Sequence, residues 1–401
     1  MKKTNKIITA LFLPLIMLFS SCFDPIFYEV RRDVEPESAT VSGNIGQITR
    51  FTMNGEEYLF LSADGGLRYK KVANETHGSW GTMSLPFSLL SYNYDNSSMD
   101  NYQLCGVYAD STTLYLVAIP YVTSGSETTT NPSTLKIWAS TTPDDVASWD
   151  LIDLSSISFD YSQDESTELY SSLFYFFQTN APQKEHRHVY FRTFTKAEDE
   201  ESKSYKYFEL IGKSLSKDKT SEILANIVDD DSEAKSAAIL GDKEVFFSSK
   251  VVVTDETYNN DDDADYVYYG NGSELYYYST ADGKKRSCSA GKTISALAVT
   301  NDSILIGLGN LMSKSDSSGG IKRVLLANGI PADSTSDFDS NADFQITSAY
   351  KVMALLNATP EKTEAESALY AAITCGYSSS GLEANKGLWS YYPARGNWNR
   401  E

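Results

Sequence analysis

The sequence predicts an all-β chain on three observations. Short runs rich in Val, Ile, Tyr, Phe and Thr recur between clusters of Gly, Asn, Asp and Ser. Helical periodicity is almost absent along the chain, and the apolar runs return at a regular interval. The strongest are YLFLS (58–62), LYLVAIPY (114–121), LFYFFQT (173–179), VFFSSKVVV (245–253), ILIGLG (304–309) and LYAAITCGY (369–377), spaced by roughly 55 to 70 residues.

Each run carries similar company. A preceding strand ends in a tight polar turn before several of them, as in ITRFTMNGEE, CGVYADST, AAILGDKE and SALAVTNDS. A further apolar or aromatic strand follows: LRYKKV, LKIWAST, VYFRTF, LYYYSTADG, IKRVLLANG and LWSYYP. Two inner apolar strands flanked by two more polar outer ones, repeated, predict a β-propeller of about six four-stranded blades, with seven as the alternative count. Many strands are apolar over nearly their whole length, as expected when both faces pack against neighbouring blades. Tandem sandwiches and a solenoid are the competing architectures. The segments ETTTNPST, KAEDEESKSYK, DETYNNDDDAD and ADSTSDFDSNAD read as loop insertions.

Ser62-Ala63-Asp64-Gly65-Gly66-Leu67-Arg68-Tyr69 resembles the Asp-box hairpin of sialidase-like propellers, Ser-x-Asp-x-Gly-x-x-aromatic. The resemblance implies that Ser62, Asp64 and Gly66 fix a structural turn and that Tyr69, where Trp is usual, packs into the blade. Looser echoes stand at 138–149, 279–283 and 389–398. Such a turn is a device of the fold and implies no activity.

The first 22 residues form a separate unit. Lys2, Lys3 and Lys6 precede an apolar run from Ile7 to Phe19, which Ser20, Ser21 and Cys22 follow. A run of 13 residues is too short for a comfortable membrane span, which needs about 20, and reads as a secretory signal. The small residues before Cys22 resemble the lipobox of bacterial lipoproteins, although Phe19 stands where Leu is usual. The resemblance implies cleavage before Cys22 and acylation of that cysteine. The expected organisation is a signal peptide at 1–21, a lipidated Cys22 with a tether over 22–40, broken by Asp24-Pro25 and Glu35-Pro36, and the propeller at 41–401.

Composition narrows the partners. The chain has 34 Lys and Arg against 54 Asp and Glu, a formal charge of −20. Removing the three signal lysines leaves 31 against 54, or −23. Such a chain repels polyphosphate, so no nucleic-acid partner is expected. Of four cysteines, Cys22 is the lipid site that the lipobox resemblance implies. Cys105 and Cys375 lie in apolar runs and are expected to be buried and inert, with Cys288–Cys375 the one pair placed to bridge.

Catalytic signals are sparse. The three histidines are His77, His186 and His188; the last two flank Arg187 and share a strand face, a geometry that holds a metal only with further ligands. The acidic runs at 229–231 and 261–265 lack the Gly and Glu of an EF-hand loop. FRTF at 191–194 matches the sialidase arginine strand only faintly, and neither a nucleophile elbow nor a phosphate loop occurs. Six tyrosines between Tyr266 and Tyr278 supply blade core or a stacking platform.

The expectation is thus a bacterial envelope lipoprotein, anchored through Cys22 to the outer membrane or the periplasmic face of the inner membrane. Its propeller is expected to be non-enzymatic, without catalytic residues, metal or cofactor, and to bind a protein or glycan partner. The alternative is a glycan-directed hydrolase or lyase with carboxylates at the propeller channel.

Overall fold

The computed structural model describes residues 41, 45, 47–63, 66–72, 80–89, 101–124, 127–130, 135–155, 157, 174–178, 187–196, 203–216, 252–254, 266–279, 285–300, 302–310, 317–327, 330–338, 344–358, 368–377, 379–393 and 396–401. The signal segment 1–21, Cys22, the tether to residue 40, Asp64, His77, His186 and the acidic runs at 229–231 and 261–265 lie outside them.

The described chain is mostly β and forms six sheets of four or more strands. The first contains β1 (Ile48–Met53), β2 (Glu56–Ala63), β3 (Gly66–Lys71) and β4 (Gly81–Met83) in sequential antiparallel order. The second places β5 (Ser88–Leu89), β6 (Asn101–Ala109), β7 (Leu114–Ser124), β9 (Lys136–Ser140) and β10 (Asp150–Leu151) in a row, with β8 (Glu127–Thr130) on the far half of β7. The third is β11 (Phe174–Gln178), β12 (Val189–Lys196), β13 (Lys203–Ile211) and β14 (Ser214–Leu215). The fourth is β15 (Val252–Thr254), β16 (Tyr266–Asn271), β17 (Glu274–Ser279) and β18 (Lys285–Ser289).

The fifth sheet comprises β19 (Ile294–Val299), β20 (Ser303–Leu308) and β21 (Gly320–Ala327), with β22 (Ile330–Pro331) and β23 (Ser336–Asp337) both on β21. The sixth is β24 (Tyr350–Asn357), β25 (Leu369–Cys375), β26 (Gly387–Tyr392) and β27 (Asn397–Arg400). Helix among the described residues is confined to one turn, α1 (Ser380–Glu383), and a 3-10 turn at Val146–Ser148.

Local chemistry explains the hairpins. Asn54 and Gly55 between β1 and β2 both have positive φ, 53° and 79°, as the twist of a two-residue hairpin requires. Packing explains the long apolar strands. On β19, Ile294, Leu297 and Val299 join a core with Tyr268 and Leu275 of the fourth sheet, whereas Ala296 and Ala298 join one with Val352 and Leu355 of the sixth. Opposite faces of one sheet therefore feed two cores, and every residue of β19 and β20 is buried. Each large aliphatic buried this way contributes about 1.5 to 3 kcal/mol.

The same division recurs. Ile48, Leu59 and Leu61 of the first sheet pack with Ala354, Leu356 and Leu388 of the sixth, whereas Phe51 and Phe60 pack with Val107, Leu116 and Trp138 of the second. Tyr115, Val117 and Ile137 of the second sheet share a core with Val189 and Phe191 of the third. Strands of successive sheets lie side by side: β15 by β19, β19 by β24, β24 by β1 and β1 by β6.

Three expectations require correction. The ends of the expected insertion KAEDEESKSYK are strand, since Lys196 closes β12 and pairs with Lys203, which opens β13. Part of ETTTNPST is not a loop: Glu127–Thr130 pairs with Tyr121–Ser124 as β8. Ser336–Asp337, inside another expected insertion, pairs with β21.

Candidate functional site

The most concentrated polar chemistry lies where leading strands approach one another. Gln178, the last residue of β11, is fully buried. Its side-chain oxygen accepts from Thr49 Oγ1 at 3.0 Å and from the Ala109 backbone N–H at 3.1 Å, and its Nε2 donates to the Ile48 carbonyl at 3.3 Å. One amide thus connects the third sheet to the first and second. A buried amide needs such partners, since an unsatisfied one costs about 1 to 3 kcal/mol.

Glu57, at the start of β2, also receives a residue from the segment that leads into β12 of the third sheet. Arg50 Nη2 lies 3.2 Å from one carboxylate oxygen and Arg187 Nη2 lies 2.5 Å from the other. Both arginines are at most 3% exposed. Arg50 reaches Glu57 because Thr52 pairs with Glu57, placing Arg50 and Glu57 on one face of the hairpin. With a guanidinium on each oxygen, Glu57 joins two sheets and is no bare carboxylate waiting for a substrate.

A second polar cluster links the first and sixth sheets. Lys70 Nζ lies 2.7 Å from Glu401 Oε2, and Trp80 Nε1 donates to the same oxygen at 2.8 Å. The Lys70 ammonium stands 5.7 Å from the Trp80 ring and 5.6 Å from that of Tyr370. Burial, then the nearby Glu401 charge, holds the Tyr370 hydroxyl well above its usual range. Val41 N–H donates to the Glu401 carbonyl at 3.2 Å, so the start of the described chain joins this cluster.

Of the residues singled out in the sequence, Ser62 ends up buried in β2 opposite Leu67, and Gly66 opposite Ala63. Tyr69 stacks on Phe60 with ring centroids 6.1 Å apart, and it covers Gly81 of β4. His188, just ahead of β12, meets Glu209 Oε1 of β13 at 2.8 Å, and its ring stacks on Tyr190. Among the described residues no three His, Cys, Asp or Glu side chains gather as a metal site would require. Phe191 of FRTF is core. Tyr268 is fully buried core opposite Tyr277.

The cysteines are free thiols, with Cys288 buried, but two depart from the expected burial: Cys375 is only half-buried and Cys105 is exposed. For Cys105 the reason is a β-bulge: the register of β6 against β7 slips between Leu104 and Gly106, turning Cys105 out of the ladder. Desolvation by surrounding protein nonetheless pushes its thiol up to about 11. Equivalent bulges fall at Ser295 in β19 and Met353 in β24. The segments LCGV, ISAL and VMAL place a small residue after each bulge, a signal that was present in the sequence.

No family model and no curated protein matches the chain. Solved structures resemble it at low identity. A chain from BBS1N in complex with ARL6DN aligns over 89% of this chain and 91% of its own, with 9% identity and a TM-score of 0.37. A chain of the mitotic checkpoint complex aligns over 90% of this chain and 94% of its own, at 9% identity and a TM-score of 0.36. A chain of NanB with Optactamide aligns over 88% of this chain and 68% of its own, at 9% identity and a TM-score of 0.38. At these scores none bears on function.

Proposed function

We propose that the chain is a lipid-anchored protein of a bacterial envelope, whose six sheets close into a six-bladed propeller that works as a binding module. The observation that carries the location is the N-terminal series of Lys2, Lys3, Lys6, a 13-residue apolar run, two serines and Cys22. Acylation there would hold the protein firmly, because each buried methylene adds about 0.8 kcal/mol and two chains act together.

Closure is supported by the shared cores, above all the one in which the first sheet packs on the sixth. A binding role is supported by the state of the half-buried Glu57 carboxylate. Hydrolysis of a glycan needs two carboxyl groups facing one bond, whereas Glu57 is held by two arginines.

The anchor is tested by Cys22→Ala in the full-length protein, with labelled palmitate and partitioning into Triton X-114. The unchanged chain takes up label and enters the detergent phase, and the variant does neither. A variant that still labels overturns the proposal.

A further inference from the structure

The seam between the fifth and sixth sheets opens outward along β21. Ile321, Arg323 and Leu325 alternate onto the face that meets the sixth sheet, since Ile321 packs with Val352, Trp389 and Trp398 while Val324 turns to the fourth sheet. Their exposure rises in that order: Ile321 is buried, Arg323 half-buried and Leu325 51% exposed. Tyr391 and Trp398 stand across the seam. Phe338, whose N–H donates to the Ile321 carbonyl at 2.9 Å, sets its ring 5.1 Å from Tyr391 and 6.2 Å from Trp398, in edge contact with both. The cleft thus has an aliphatic lip, an aromatic floor and a guanidinium between them.

That guanidinium has no counter-charge. Among the described residues the Arg323 side chain makes no hydrogen bond or ion pair, and its Nε is buried without a partner. Burial raises the Tyr391 hydroxyl while the Arg323 charge lowers it, which sets the two side by side. The nearby acids lie elsewhere. Asp337 stands opposite Lys322, on the other face of β21, and Asp333 lies toward the fourth sheet, where after burial and Glu274 its charge also raises the Cys288 thiol. Asp337 is the one acid in the described strands of these two sheets. Arg400, on the same face of β27 as Trp398, adds a guanidinium outside any ion pair, its Nη2 donating to the Lys386 carbonyl at 3.5 Å. A chain with 54 acids against 34 bases therefore leaves two arginines at one seam without a carboxylate. A buried donor is costly without a partner, and a guanidinium is matched best by a carboxylate.

The surroundings select the carrier of that carboxylate. A sugar ring needs an open aromatic face, and here Phe338, Tyr391 and Trp398 pack edge to edge. A second copy of the chain brings a further charge of −20 and is repelled on approach. We propose that this cleft docks a segment of a partner protein in which one Asp or Glu is flanked by large apolar residues. The carboxylate takes the Arg323 fork, and the apolar neighbours cover Leu325 and Phe338. The inference rests on the binding-module reading and gives that module a place and a partner chemistry.

The test uses full-length protein in detergent micelles and a fluorescent octapeptide with one central glutamate between leucine and phenylalanine residues, followed by anisotropy. This peptide binds, and the matched peptide with glutamine at the centre binds about tenfold more weakly. Arg323→Gln and Leu325→Ser each weaken the glutamate peptide about tenfold, whereas Lys213→Gln, at an exposed cation of the third sheet, changes nothing. Arg323→Glu reverses the preference and takes up the peptide with a central lysine. Circular dichroism verifies that each variant is folded. Absence of binding to the unchanged chain, equal loss in Lys213→Gln, or self-association that Arg323→Gln abolishes overturns the proposal. Pull-down from envelope extracts by the unchanged chain bears on the binding module as a whole, so loss of peptide binding with pull-down retained sinks this cleft alone.

Discussion

Lys70 and Glu401, 331 residues apart in sequence, meet at 2.7 Å with side chains only 5% and 9% exposed. The pair sits between the first and sixth sheets under Trp80 and Tyr370. Removing one partner of a buried pair strands the other, at a cost of about 3 to 5 kcal/mol. Glu401→Ala is therefore expected to lower the urea midpoint markedly. Lys70→Met with Glu401→Gln should lose less than Glu401→Ala, because no uncompensated charge remains. Equal losses in the single and double variants would remove the ion pair from the account.

Tyr370 gives this seam a pH dependence. Burial and the Glu401 charge raise its folded pKa above the ordinary value of 10. The stability tied to its neutral hydroxyl is fully present below pH 10 and is lost as pH rises toward the folded value. The protein should thus weaken above about pH 10, with Tyr370→Phe showing a shallower decline. Urea melts between pH 8 and 11 check this. An unchanged slope in the variant would assign the decline elsewhere.

Cys105 should be accessible yet slow. With its thiol pushed up to about 11, its thiolate fraction at pH 8 is about 0.1%. Iodoacetamide alkylation, mapped by mass spectrometry, is expected to label Cys105 slowly at pH 8 and progressively faster up to pH 11. Rapid labelling at pH 8 would contradict the desolvated setting of the bulge.

Gly307 has no room for a side chain. A Cβ there would stand 2.6 Å from Val352 Cγ1 and 2.7 Å from Ala296 Cβ. Gly307→Ala is expected to cost about 1 to 3 kcal/mol through overpacking between the fifth and sixth sheets. Gly381→Ala, in the exposed helical turn with nothing within 4 Å, should be neutral or slightly stabilising. Thermal melts of the two variants make the comparison.

Much of the fold was legible because period and turn chemistry are local. YLFLS, ILIGLG and LYAAITCGY each mark the second strand of a sheet, and Asn54-Gly55 marks its own hairpin. The strand at 127–130 was not legible, since ETTT running into Asn131-Pro132 reads as a loop. The candidate clusters were scarcely legible at all. Nothing local announces that Arg187 faces Glu57 or that Lys70 faces Glu401, because those contacts depend on how distant sheets meet. Cys105 was misjudged for a related reason: its apolar neighbours imply burial, and a one-residue register slip reverses its direction.

Gln178 makes the integrity of three sheets a joint property. Because a single amide satisfies partners in the first and second sheets, loosening the third exposes donors and acceptors in both others together. A fragment cut before Gln178 would leave Thr49, the Ala109 amide and the Ile48 carbonyl without this partner inside an apolar surround. These sheets are accordingly expected to melt as one cooperative unit.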